Sequence, residues 1–148
     1  MIILGEVLGL FSAKEGESGL PRPKKESLIL KAGYGIEGDK FAGKKLNQSV
    51  MVVGTKAYNL AKDEGILLEY GSLGENILFD FDPHEFAAGT EFKIGDSAVI
   101  KITKNCTICK HLAVFDKKLP KLLEFHRGVY CKITQTGEIR VGDMVTLK

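Results

Sequence analysis

Residues 94–103 read IGDSAVIKIT, a Gly-Asp pair followed by an apolar run of mainly β-branched residues. Gly-Asp pairs favour turns, and a short β-branched run bounded by such a pair predicts a strand. A second pair, Gly142-Asp143, precedes another such run, and Gly137-Glu138 predicts a hairpin between Ile133 and Ile139. Turn and strand signals repeated in this way are typical of an all-β domain.

Alternation and short β-branched runs predict further strands along the chain. The predicted strands are residues 2–11, 27–30, 49–53, 76–79, 91–94, 98–103, 129–134 and 144–147. The predicted barrel interior holds apolar residues from five of these strands: Phe11, Val52, Ile77, Ile100, Ile102 and Val129. We therefore expect a mostly β fold, a closed and mainly antiparallel barrel with a few short helices.

Helical periodicity is confined to two short stretches. Residues 55–64 carry Thr55 as an N-cap and Gly65 as a stop, and residues 119–125 carry Pro120 in the first turn. Residues 14–25 are rich in Gly, Ser, Pro and charge, which predicts a surface loop. With 148 residues and no internal repeat, the chain is expected to be one domain, residues 1–148.

Composition excludes several functional classes. The net charge of +2 is too small to predict nucleic-acid binding, and no apolar run has the length of a membrane span. The N-terminal residues lack a basic signal-peptide region. Three cysteines, an odd number, favour a reducing cytoplasm over a disulfide framework.

Residues 106–109 contain a Cys-x-x-Cys pair, Cys106 and Cys109, at the end of the predicted strand 98–103. Between residues 101 and 127 there are seven Lys or Arg against two acids, so the rest of the chain is net negative. Nearby cations favour the thiolate and attract anions. A reactive thiol beside an anion site is one interpretation, and a buried inert cysteine is the other. A single pair cannot supply the four ligands of a structural zinc site.

Other polar positions have both a functional and a structural interpretation. Residues 33–43 contain four glycines, whose backbone amides are expected either to bind an anion or to form a tight loop. Glu75 and Asn76 follow Gly74, and are expected to orient a loop or contact a ligand, or else to form a solvated turn. His111 and His126 are candidates for a general base or an anion contact. Cys131 lies in an apolar strand and is expected to be structural.

Taken in order, four of these elements resemble the MOSC domain, named for the C-terminal domain of molybdenum-cofactor sulfurase. They are residues 35–43 with Gly38, Asp39 and Gly43, residues 74–77, Cys109 after a strand, and residues 127–143. The resemblance covers about residues 31–143, with residues 2–13 as the family's first strand, and implies a small stand-alone member. It also implies that Cys109, the second thiol of its pair, carries sulfur or ligates molybdenum.

The resemblance further implies a site and a cofactor. Molybdenum cofactor (molybdopterin) would be held by Gly38, Asp39, Gly43, Glu75, Asn76, Lys110, His111 and Arg127, with the basic residues 104–127 around its phosphate. Pyridoxal phosphate binding is implied only as an association at the level of the family. The implied activity is sulfurtransferase-like or molybdenum-cofactor-dependent, with an anionic small molecule or pterin as ligand and a sulfur-donor or sulfur-acceptor protein as partner.

Two other functional hypotheses belong to different classes. The domain could be a non-catalytic module that docks on a protein of cofactor biosynthesis. Alternatively, Cys106 and Cys109 could form a redox switch through a disulfide, which a measured reduction potential would reveal.

Overall fold

The computed structural model describes residues 1–106 and 110–148, apart from the side chains of residues 110 and 111. Within these ranges the strands are β1 (Ile2–Phe11), β2 (Lys24–Lys25), β3 (Ser27–Lys31), β4 (Gly35–Ile36), β5 (Val50–Gly54), β6 (Ile77–Phe79), β7 (Glu91–Ile94), β8 (Ala98–Asn105), β9 (Val129–Gln135), β10 (Gly137–Arg140) and β11 (Met144–Leu147). The α-helices are α1 (Thr55–Asp63) and α2 (Leu119–Leu122). Short 3-10 helices span Leu46–Gln48, Pro83–Glu85 and Lys110–Val114.

Seven of the described strands close into a barrel. The order around the ring is β1, β11, β7, β8, β9, β5 and β6, and β6 pairs with β1 to complete it. Every pair in the ring is antiparallel except β5 with β6, which is parallel with Val52 opposite Ile77. Because α1 follows β5, it forms part of the crossover that a parallel pair requires. The predicted mostly β fold, a closed barrel with few helices, is confirmed.

The barrel interior is filled by apolar side chains from the inward positions of the strands. Val52, Ile77, Ile100, Ile102 and Val129 all lie in this interior cluster, as the sequence predicts. Phe11 is also buried, but it belongs to a second cluster formed where α1 and α2 cover the outer face of the barrel. Its assignment to the interior was therefore wrong.

The predicted hairpin at Gly137-Glu138 is also wrong. Strand β10 pairs with β3, with Gly137 opposite Leu30, and together with β4 they form a separate three-stranded sheet. A side chain at residue 137 would collide with Ser97 and would lie 2.6 Å from the backbone nitrogen of Ala98. Gly137 is thus required by the close approach of two backbones, not by a turn.

The helix boundaries differ slightly from those predicted. Gly54, not Thr55, occupies the N-cap position of α1, without a side-chain hydrogen bond. Gly65 ends the helix as predicted: its φ is +78° and its N–H donates to the carbonyl of Lys62 at 2.9 Å. Helix α2 ends at Leu122 instead of residue 125.

The loop of residues 14–25 is tied to the barrel at its end. Lys25 pairs with Leu10 of β1, and the N–H of Arg22 donates to the carbonyl of Gly71 at 3.1 Å. These bonds bring Arg22 to the rim of the barrel. Among the described residues, every helix is too short or too polar to span a lipid bilayer.

Candidate anion-binding site

A cavity of about 330 Å³ opens at the rim of the barrel where β5 and β6 begin. It is bounded by the end of the 14–25 loop, the segment between β4 and β5, and the residues that precede and begin β9. The lining residues are Arg22, Phe41, Lys44, Lys45, Gln48, Ser49, Met51, Gly74, Asn76, Arg127 and Tyr130.

The charged residues that line this cavity are all basic in the described part of the chain: Arg22, Lys44, Lys45 and Arg127. Lys44 also forms a surface ion pair with Glu15 at 3.0 Å, where both side chains are exposed. Phe41, Met51 and Tyr130 add apolar surface to the same cavity. Such a combination suits a ligand that has an anionic group attached to a flat apolar body.

Arg22 supplies an unused hydrogen-bond donor. Its Nη1 atom is buried and has no hydrogen-bond partner among the described residues. Burial lowers the pKa of this guanidinium, and the negative charges of Asp39 and Glu75 oppose that shift. The guanidinium lies over the ring of Phe41, 5.1 Å from its centroid. An unpaired donor on a cation is costly when buried, so an oxyanion that accepted from Nη1 would relieve this cost.

Arg127 lies beside Arg22 and is held rigidly. Its Nε and Nη2 atoms donate to the carbonyl oxygen of Leu73 at 3.2 and 2.7 Å. Gly74 lies next to both guanidinium groups: a Cβ at residue 74 would lie 3.2 Å from Nη2 of Arg127 and 3.9 Å from Nε of Arg22. Two guanidinium groups this close repel each other, which favours an anion between them.

The glycine-rich loop contributes side chains to the cavity and uses most of its amides for internal bonds. The N–H groups of residues 37, 39–40 and 42–44 donate to backbone carbonyls. Asp39 is buried, and it accepts from Ser12 Oγ at 2.7 Å and from the Phe41 N–H at 3.1 Å. These bonds favour the tight-loop interpretation, since the loop uses most of these amides to hold its own shape. Neither Gly38 nor Gly43 lines the cavity.

Glu75 points away from the cavity into the protein. It is fully buried, and its Oε2 accepts from the Tyr58 hydroxyl at 2.6 Å and from the Gly71 N–H at 3.2 Å. Burial raises the pKa of Glu75, and burial together with the Glu75 charge raises the pKa of Tyr58. Glu75 therefore fixes the loop that carries Leu73 and Gly74. The solvated-turn interpretation of this motif is wrong.

Asn76 lines the cavity, but both of its polar atoms serve the backbone. Its Oδ1 accepts from the Met51 N–H at 3.0 Å, and its Nδ2 donates to the Phe11 carbonyl at 3.1 Å. The side chain thus links three strands at the rim. These bonds fix the positions of β1, β5 and the start of β6 relative to one another, and so fix the strand residues that line the cavity.

Of the described cations between residues 101 and 127, Arg127 alone lines the cavity. Cys109 lies outside the described residues, and so do the side chains of Lys110 and His111. Their roles stay predictions. Cys131 is fully buried, and burial raises the pKa of its thiol well above the usual range, which agrees with a structural role.

Sequence reasoning missed Arg22, Lys44 and Lys45. Arg22 stood in a stretch interpreted as surface loop, and the only sequence feature marking it is its place between Pro21 and Pro23. Prolines fix the local backbone on both sides, so the side chain between them is presented in a defined direction. Lys44 and Lys45 directly follow the glycine-rich loop. No local pattern in the sequence indicates that this pair of cations lies near Arg127.

Comparison with known proteins places the chain in a family. The model of the MOSC domain matches residues 38–146. No curated protein sequence gives a significant match to the chain.

Solved structures share the fold at low sequence identity. YuaD from Bacillus subtilis superposes with a TM-score of 0.76 at 17% identity, covering 97% of this chain and 94% of that chain. YiiM from Geobacillus stearothermophilus gives 0.71 at 16% identity, covering 99% and 74%. YiiM from Escherichia coli gives 0.71 at 14% identity, covering 97% and 69%. At these identities the likeness shows a common fold.

Proposed function

We propose that this chain, which belongs to the MOSC domain family, binds the phosphorylated pterin of molybdenum cofactor in the basic cavity and uses Cys109 to carry sulfur or to ligate molybdenum. One observation carries the proposal: Arg22 presents a buried, unpartnered Nη1 in a cavity whose described charged residues are all basic. An oxyanion is the ligand that satisfies such a donor.

The lining residues fit the two parts of such a ligand. Arg22 and Arg127 would hold the phosphate, because two adjacent guanidinium groups offer several N–H donors in fixed directions. Lys44 and Lys45 would add positive charge at the cavity wall. Phe41 and Tyr130 would flank the planar ring system, as aromatic side chains commonly do for flat ligands.

The position of Cys109 along the chain supports the second half of the proposal. The N–H of Cys106 donates to the carbonyl of Gly128 at 2.9 Å, and Gly128 directly follows Arg127. Three residues span at most about 11 Å, so covalent geometry keeps Cys109 within that distance of Cys106. A soft thiolate suits both molybdenum and persulfide chemistry. When bound, the cofactor would supply the molybdenum centre; the chain supplies the cationic cavity and the thiol.

The test is the molybdenum and pterin content of protein purified from a host that makes the cofactor. We expect both in the wild type, a strong loss of pterin in Arg22→Ala and Arg127→Ala, and retention in Lys62→Ala, which removes an exposed cation from α1. Cys109→Ser should lower molybdenum or sulfane sulfur and leave pterin bound. Pterin retained in both arginine variants would overturn the assignment of the cavity.

Measurements on the same purified wild-type protein also test the two other hypotheses, the docking module and the redox switch. Neither pterin nor metal in wild-type protein, together with capture of a cofactor-biosynthesis protein, would favour the docking module. A Cys106–Cys109 disulfide with a reduction potential near that of the cytoplasm would favour the redox switch.

A further inference from the structure

Two histidines from distant parts of the chain lie close together near the end of β5. The basic cavity lies near the start of the same strand. His84 lies in the 3-10 helix Pro83–Glu85 that follows β6, and His126 lies between α2 and β9. Their ring centroids are 6.1 Å apart and the rings are inclined at 78°. The pair is separate from the basic cavity, since neither histidine lines it.

Each ring of this pair has one nitrogen that the described residues leave unused. Nε2 of His84 and Nδ1 of His126 are both buried and without a hydrogen-bond partner in the described part of the chain. Buried ring nitrogens normally have a partner, because leaving one unsatisfied costs free energy. Two such nitrogens on neighbouring rings point to a ligand that accepts electron pairs from both.

We propose that His84 and His126 form a binding site for a late first-row divalent metal ion such as Zn²⁺, with His84 Nε2 and His126 Nδ1 as its protein ligands. Imidazole nitrogen is a preferred ligand of these ions. At about 2.0 Å per metal–nitrogen bond, two imidazoles on one ion have centroids about 5 Å apart in tetrahedral geometry and about 6.4 Å apart when opposite each other. The observed separation of 6.1 Å lies within this range.

The surroundings of the pair hold His84 in place. Asp82 accepts the His84 backbone N–H at 3.0 Å and pairs with Lys56 at 3.8 Å, which fixes the turn that carries His84. No third His, Cys, Asp or Glu among the described residues completes a protein site of three ligands. Water would therefore fill the remaining positions, as in sites open to exchange.

The test is a Zn²⁺ titration of the full chain with the thiol removed by Cys109→Ser, followed by NMR of the ¹⁵N-labelled imidazole rings. We expect Zn²⁺ to shift the resonances of His84 Nε2 and His126 Nδ1. His84→Ala and His126→Ala should each lower the affinity at least about tenfold, since even outer-shell substitutions have that effect. Glu85→Gln, at an exposed position of the same 3-10 helix, serves as the control and should bind as the parent does.

Several results would overturn the proposal. Ring-nitrogen resonances that stay unchanged in a large excess of Zn²⁺ would do so, as would shifts confined to His111 or to the other nitrogens of the pair. If an alanine variant fails to fold by its amide spectrum, His84→Gln and His126→Gln replace it and keep a polar side chain. Undiminished Zn²⁺ affinity in both folded variants would also reject the site.

Discussion

Arg127 donates two hydrogen bonds to one acceptor, the carbonyl oxygen of Leu73, through Nε at 3.2 Å and Nη2 at 2.7 Å. A guanidinium held at two of its nitrogens cannot turn freely, so the remaining donors are fixed in direction. The carbonyl in turn belongs to the loop that Glu75 and Tyr58 anchor. The buried carboxylate therefore acts on the cavity indirectly, by setting where Arg127 can lie.

Replacing Arg127 with Lys should weaken anion binding although the charge is kept. Lysine cannot reproduce the paired bonds to Leu73, and hydrogen bonds from charged groups contribute about 1.5–3 kcal/mol each. We expect a lower free energy of unfolding in urea and a lower affinity for inorganic phosphate, measured by calorimetry. Arg140→Lys, at an exposed ion pair with Glu138, is the control and should change neither quantity appreciably. Equal phosphate affinity in wild type and Arg127→Lys would contradict the role of the fixed guanidinium.

Replacing Gly74 with Ala should disturb the cavity directly. Gly74 has a φ of +84°, and a Cβ there would lie 3.2 Å from Nη2 of Arg127. The left-handed backbone alone costs an alanine about 1–2 kcal/mol. Gly65→Ala isolates that cost, because Gly65 has a φ of +78° and nothing within 4 Å of the new Cβ. Both variants should lose stability, but only Gly74→Ala should lose phosphate affinity. A comparable loss of phosphate affinity in Gly65→Ala would show that backbone strain, and not the contact with Arg127, is responsible.

The free energy of unfolding of Glu75→Gln should increase relative to that of the wild type as pH rises. Burial raises the pKa of Glu75 above its ordinary value of 4.5. At a pH between the two pKa values, the folded protein therefore keeps the Glu75 proton, whereas the unfolded chain has released it. This stabilising contribution is present below pH 4.5 and is lost as pH rises through the raised folded pKa. Glutamine stays neutral, so the difference in unfolding free energy should grow with pH.

Urea titrations across this pH range measure that difference. Glu69→Gln removes one negative charge from an exposed position before the same loop and serves as the control. A difference between Glu75→Gln and wild type that is constant with pH would show that the carboxyl has its ordinary pKa.

Ile100→Ala should destabilise the barrel by about 2–5 kcal/mol, the range for truncating a buried aliphatic side chain. Ile100 is fully buried in the interior cluster, whereas Ile3 on β1 is 59% exposed. Ile3→Ala should therefore cost much less. Urea unfolding of the two variants gives the comparison, and a loss below about 1 kcal/mol for Ile100→Ala would be too small for a buried site.

Cys109 should be the thiol that reacts first. Cys106 and Cys131 are 3% and 0% exposed, so an alkylating agent has little access to either in the folded protein. A limiting amount of iodoacetamide near neutral pH, followed by peptide mass spectrometry, identifies the modified residue. Modification of Cys106 or Cys131 ahead of Cys109 would contradict the assignment of the reactive thiol.

Strand positions could be predicted because the period of two and the Gly-Asp turns are local features of the sequence. Gly95-Asp96 does join β7 to β8. Gly137 was misread because a glycine required by a close backbone approach looks the same in sequence as a glycine required by a turn. Which strand β10 pairs with depends on β3, more than a hundred residues earlier, and no local pattern reports this.

The candidate site was predictable in part for the same reason. Arg127 and Asn76 lie at the cavity because the motifs that contain them begin or precede strands of the barrel. Arg22 was not predicted, since its place depends on a long-range bond from its N–H to Gly71. The glycine-rich loop was recognised, but its amides are occupied by partners, such as the Ala13 carbonyl, that only the folded chain brings together.

The ring is closed by strands far apart in the sequence, since β1 pairs with β11. The separate sheet likewise joins β3 to β10. Contacts of such long sequence separation form late, because a large loop must lose its conformational entropy before they can stabilise anything. During synthesis on the ribosome, the barrel therefore stays incomplete until β11 has emerged. We expect refolding in milliseconds to seconds, as for other β-barrels dominated by distant pairings.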